Sequence, residues 1–228
     1  MNPANRLAQL SFTAGPAALL AGWFLMRPVQ GGLEPGPWWT AAHVVWLAGF
    51  VMSGVMLLAM RRMAGPVTGG RRVAVEAVTG LALFGVAANL VQLAIDLYTG
   101  FAAPDGAAMR GLLDTVKGYP GVEQVVYGPG AQLFYAALLA QAVILALLRR
   151  VTPVSAAVTA GGVVLLAVAT FAEGRSSALV ALGMALIWLG LLLLGRGRPD
   201  GPAATTLATG TRAQGAAISS RTSTEPLR

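Results

Sequence analysis

The residues of this chain best suited to move a proton are its single histidine, His43, and a carboxylate set inside an apolar stretch, Asp96. An imidazole titrates near neutral pH, and a carboxylate within reach can orient it and hold its proton. Trp39, His43, Trp46 and Phe50 follow three- and four-residue spacing and share one helical face. Gly85, Asn89, Gln92 and Asp96 form a second stripe at offsets 0, 4, 7 and 11. Gln132 and Tyr135 occupy neighbouring positions of a third face, and Glu173 follows the fifth apolar run. If these faces converge, His43 and Asp96 form an acid–base pair with Tyr135 as a secondary donor. The aromatic rings would then stabilise a developing cation on an apolar substrate, as an isomerase or cyclase requires. The same groups without bond-making chemistry describe a binding pocket in which aromatic residues contact a chain and polar residues orient a head. The bland alternative is hydrogen bonding that ties helices together.

The elements that carry these residues are set by composition. Of 228 residues, 56% are hydrophobic and only 11% charged, against about 25% charged in ordinary soluble domains. Apolar runs lie at about 7–26, 38–60, 73–98, 131–148, 153–171 and 178–195. At about 1.5 Å per residue such runs reach across a hydrocarbon layer of about 30 Å, and in lipid a helix satisfies its own backbone. The expectation is an all-α integral membrane protein, a six-transmembrane-helix bundle occupying residues 1–198. Residues 199–228 are rich in Gly, Ala, Ser and Thr and read as a flexible low-complexity tail. Only Arg149, Arg150, Val151 and Thr152 separate the fourth and fifth runs, which predicts a tight antiparallel pair. Gly49 with Ser53, Ala181 with Ala185, and Gly161-Gly162 offer close helix contacts.

Six spans place both ends on one side. The basic residues then divide 12 against 4, or 9 against 4 without the tail, in favour of the side holding Arg61, Arg62, Arg71, Arg72, Arg149 and Arg150. The positive-inside rule makes that side cytoplasmic, so both termini are expected there, in a bacterial-type plasma membrane. Leu25-Met26-Arg27-Pro28 offers no small-x-small processing site, so a cleaved signal peptide is not expected. Trp23, Trp38 and Trp39 fall where the opposite headgroup boundary would lie and read as anchors. The long extracytoplasmic loop, about 99–130, joins the third and fourth spans. Within it Ala107–Lys117 reads as a short surface helix with Met109, Leu112, Leu113 and Val116 on one side, serving as a lid or as a simple connector.

With this orientation His43, Asn89, Gln92, Asp96, Gln132, Tyr135 and Glu173 all fall in the outer half of the bilayer. Polar groups there face protein or a wet cavity, so one outward pocket lined by these residues with Trp39, Trp46 and Phe50 is the expected site. Glu76 is expected to balance nearby Arg71 and Arg72, and Gln141 to make an isolated interhelical bond. The chain has no cysteine, one histidine, and no phosphate loop, dinucleotide turn or zinc motif, so no cofactor and no metal are expected. Its net charge of +7 sits at span ends rather than in a continuous basic patch, which argues against nucleic acid. The partners expected are membrane lipids, an apolar or amphipathic small molecule, and a protein partner or second copy. Three functions follow: a binding or transport-related protein, an intramembrane acid–base enzyme, or an accessory subunit of a membrane complex.

Overall fold

The computed structural model describes residues 3–29, 32–171 and 176–196. Among them the chain forms seven α-helices: α1 (Pro3–Leu25), α2 (Pro37–Met63), α3 (Gly69–Ala102), α4 (Gly106–Lys117), α5 (Pro129–Leu147), α6 (Pro153–Phe171) and α7 (Ser177–Arg196). A six-residue π-helical segment, Val122–Tyr127, leads into α5. Proline opens α2, α5 and α6 near their first turns, where its missing N–H would have had no helical acceptor. Five helical stretches are long and apolar enough to cross a membrane: Pro37–Met63, Gly69–Ala102, Val122–Leu147, Pro153–Thr170 and Ser177–Arg196. The protein is a multi-pass, all-helical membrane protein.

The long helices form a closed ring. Each packs on its neighbours in the order α1, α2, α3, α5, α6, α7 and back to α1, with a lesser contact between α2 and α5 across the middle. Small residues set the close approaches. A Cβ built on Gly85 of α3 would lie 2.2 Å from the Phe134 backbone nitrogen of α5, so the two backbones nearly touch there. Gly49 and Ser53 lie against Gly15 and Leu19 of α1, as their spacing suggests. At the α6–α7 contact Gly162 lies against Ile187 and Gly183, and Gly190 against Thr159. Gly161 has open space beside it, and Ala181 and Ala185 are only partly buried, so these do not make the approach.

The expected pairing of α5 with α6 is present but looser than a tight pair. A connection of five residues holds them together at one end, but α5 packs more extensively on α3, and α6 on α7. A short loop fixes one pair of helix ends and leaves the rest free to follow their larger apolar partners.

Alternation around the ring gathers Arg61, Arg62, Arg71, Arg72, Arg149 and Arg150 at one end of the bundle, termed here the basic end. Glu76 is bonded there by Arg61 Nε at 2.9 Å, across the α2–α3 contact. Its expected partners Arg71 and Arg72 lie on its own helix, whereas the Arg61 guanidinium reaches it from α2 in a two-pronged contact. Gln141 makes the expected interhelical bond, donating from Nε2 to the Leu57 carbonyl at 3.2 Å and to Thr79 Oγ1 at 3.3 Å.

Candidate functional site

At the end opposite the arginines, Asp96 is the hub of a buried polar group. Its Oδ1 accepts from the Tyr127 hydroxyl at 2.8 Å, and its Oδ2 lies 3.7 Å from His43 Nε2. Its backbone carbonyl accepts from Trp39 Nε1 at 3.0 Å and from Thr99 Oγ1 at 3.1 Å. His43 and Asp96 are only 2% and 6% exposed, so water screens this pair little. Helix geometry brings them together: on antiparallel α2 and α3, Trp39 stands beside Asp96 and Gly100, and His43 follows one turn deeper.

The imidazole is held on two sides. His43 Nδ1 lies 2.7 Å from the Trp39 carbonyl four residues earlier, and a carbonyl only accepts, so Nδ1 carries a hydrogen. That leaves Nε2 directed at the Asp96 carboxylate. The ring stacks on Trp39 at 4.0 Å and meets Trp46 edge-on at 5.2 Å. Trp46 is in turn fixed by its Nε1, which donates to the Leu19 carbonyl of α1 at 2.9 Å.

The connection between α3 and α5 covers this group. Asp105 caps α4 by accepting from the Ala107 and Ala108 backbone N–H groups, both at 2.9 Å. Met109 and Leu113 of the expected stripe are buried against Trp39 and Ala103, while Leu112 packs at the margin of that cluster and Val116 is partly buried. The π-helical segment then presents Tyr127 to Asp96, and Lys117 Nζ lies 4.7 Å from the Tyr127 ring centre. π-Helical turns are rare and frequent at functional sites, because they shift side chains out of α-helical phase.

Below the carboxylate a cavity of about 250 Å³ opens between the helices. His43, Trp46 and Phe50 from α2 line one side, and Asn89, Gln92 and Asp96 from α3 the next. Tyr135 of α5 contributes, and the remaining wall is largely apolar, including Leu19, Leu166 and Met184. The bottom is closed toward the basic end by the edge-on pair Phe50–Phe134 with buried Met56 and Leu138, where only about 10 Å³ of space remains.

The polar lining divides by its bonding. Asn89 is a structural tie, its Nδ2 donating to the Gly85 carbonyl at 2.7 Å and the Ala131 carbonyl at 2.9 Å. Among the described residues neither the Gln92 amide nor the Tyr135 hydroxyl has a hydrogen-bond partner, yet both line the cavity.

Several expected site residues are placed differently. Trp39 is buried behind His43 and does not line the cavity, whereas Trp38 is about half exposed. Gln132 faces away from the cavity, into a second cleft between α5 and α6. Asp96 accepts from Tyr127, not from Tyr135. Glu173 lies outside the described residues. Two further residues belong to the site, Tyr127, which bonds Asp96, and Trp23, which lines the cavity; their only sequence signal is an aromatic near a span end. Tyr127→Phe should remove one hydrogen bond while keeping the ring. The expected cost is about 1–2 kcal/mol, read as a lower thermal unfolding midpoint in detergent micelles and faster hydrogen exchange in residues 106–127. Unchanged exchange there would mean that this bond does not hold the cover.

No family model, curated protein or solved structure matches the chain.

Proposed function

With no relative to carry a role across, we propose from the geometry that the protein binds an amphipathic or isoprenoid-like molecule in this cavity. In this reading α1 is a sixth span, both termini are cytoplasmic, and the basic end faces the cytosol under the positive-inside rule. The cavity then lies in the outer half of the bilayer beneath an extracytoplasmic cover. The observation that carries the proposal is the pair of polar groups, Gln92 and Tyr135, that face the cavity without an internal partner. A side chain serving only to join helices would be bonded across the contact, as Asn89 is to the Ala131 carbonyl and Gln141, through its Nε2 alone, to the Leu57 carbonyl. The aromatic wall suits an apolar body, and the apolar floor favours binding over a polar conduit to the cytosol.

The test is mass spectrometry of small molecules retained after gentle purification. The wild-type protein should carry a reproducible amphiphile that is at least tenfold depleted in Gln92→Leu/Tyr135→Phe protein of unaltered fold. Equal occupancy in the two proteins would overturn the proposal.

The approach of His43 to Asp96 favours a second reading, acid–base chemistry on such a molecule. His43→Gln separates the two. A binding protein retains its amphiphile unchanged, whereas an enzyme accumulates a form not found on the wild type.

A further inference from the structure

A cleft of about 430 Å³ lies between α5 and α6, and its walls include Gln132, Ala136 and Leu139 facing Val163, Val164 and Ala167. Tyr135 and Leu166 belong to both this cleft and the central cavity, so the two compartments share one partition. Ala136, Val164 and Ala167 are exposed, which places the cleft on the membrane-facing side of the ring. Thr170 adds little polarity there, because its hydroxyl is spent on the Leu166 carbonyl at 2.7 Å. It is the divergence of α5 from α6 that creates this opening, at the least extensive contact between neighbouring helices of the ring.

We infer that the two compartments form one divided site for a single-chain amphiphile with an uncharged, hydrogen-bonding head, its chain seated between α5 and α6 and its head in the central cavity. This rests on the cavity being a ligand site and specifies the ligand's class and its way in. The chain enters sideways from the bilayer, so no apolar segment crosses water. The Tyr135 hydroxyl stands at the partition, where head and chain would meet.

The head's class follows from the charges present. The titratable groups facing each other in the described lining are His43 and Asp96, and the described lining includes no arginine or lysine. A phosphate or carboxylate head would lie near the Asp96 carboxylate with no arginine or lysine among the described lining residues to offset it, a costly arrangement away from water. A cationic head would find Asp96 already engaged by Tyr127 and His43. An alcohol or carbonyl head meets what remains open, the Gln92 amide and the Tyr135 hydroxyl.

The experiment uses a farnesyl-type alcohol with a photoreactive diazirine near its tail, and the phosphate ester of the same molecule, on full-length protein in phosphatidylcholine vesicles. Adducts of the alcohol should map to Ala136, Leu139, Val164 and Ala167, and the phosphate should label at least tenfold less. Ala167→Trp or Ala136→Phe, which fills the cleft, should reduce labelling at least fivefold, while Val91→Trp on the exposed face of α3 should leave it unchanged. Adducts spread evenly over membrane-facing helices, or equal labelling by the phosphate, would overturn the inference. Adducts confined to the central cavity and insensitive to Ala167→Trp would remove the lateral seat and leave the binding proposal standing.

Discussion

Asp96→Leu is expected to be the most destabilising change in the site, costing about 3–5 kcal/mol. The carboxylate is the acceptor for the Tyr127 hydroxyl at 2.8 Å and faces His43 Nε2 at 3.7 Å, both within a nearly dry region. Leucine fills a similar volume but leaves the Tyr127 hydroxyl without its acceptor and His43 without the carboxylate it faces. This loss exceeds that of Tyr127→Phe because a neutral hydroxyl deletion removes only one side of one bond, whereas loss of the hub strands its partners. Asp96→Asn should fall between, since the amide oxygen still accepts from Tyr127. Combining Asp96→Leu with His43→Phe should recover at least about 1 kcal/mol relative to the sum of the single changes, because the stranded imidazole is gone. The measurement is the thermal unfolding midpoint of all four proteins in one detergent. Strict additivity would mean that His43 and Asp96 are neighbours without being partners.

Gly85→Val should be nearly as damaging for an unrelated reason. The added Cβ would stand 2.2 Å from the Phe134 nitrogen and 2.7 Å from its Cα, both backbone atoms that no rotamer change can move. The helices α3 and α5 must separate, which stretches the Asn89–Ala131 bond of 2.9 Å and carries Tyr135 away from the cavity wall. Overpacking against flexible side chains costs about 1–3 kcal/mol, and a backbone obstacle places this substitution at or above the upper end. Gly80→Val on the same helix is the control, since nothing lies within 4 Å of its Cβ position. The expected result is a large fall in unfolding midpoint and loss of bound amphiphile for Gly85→Val, with little change for Gly80→Val. Equal midpoints would show that the α3–α5 contact is looser than described.

How much of this was legible in the sequence depends on what each feature requires. Helical period and apolar length alone locate the long helices, because lipid leaves the backbone few alternatives. The two stripes each fix a helix face and polar residues turn inward, but the spacing leaves open which faces meet. The approach of His43 to Asp96 is therefore a condition in the sequence and an observation only in the structure. Tyr127 was not foreseeable in the same way. It belongs to a π-helical turn, whose residues fall out of the 3.6-residue phase on which face assignment rests. Gln132 was assigned to the same pocket as Tyr135 because the two are three residues apart, yet a residue near the edge of a face can serve a different compartment. Trp39 carries the composition of an interfacial anchor, but its indole N–H finds a buried carbonyl on α3, a tertiary partner that local sequence does not name. The cleft between α5 and α6 was likewise hidden, because the short loop between them suggested close pairing while relative packing with α3 and α7 decided the outcome.

The legible parts and the surprises meet at the wall shared by the two compartments, and the central claim is that a ligand occupies this space. An experimental structure of the protein crystallised in a lipidic mesophase, after purification without ligand stripping, tests it most directly. The account predicts non-protein density within hydrogen-bond distance of Gln92 and the Tyr135 hydroxyl, extending past Leu166 between α5 and α6. A collapsed cavity in which Gln92 and Tyr135 bond to neighbouring helices, with Trp46 and Phe50 closing the space, would contradict it and return these residues to the role of structural ties.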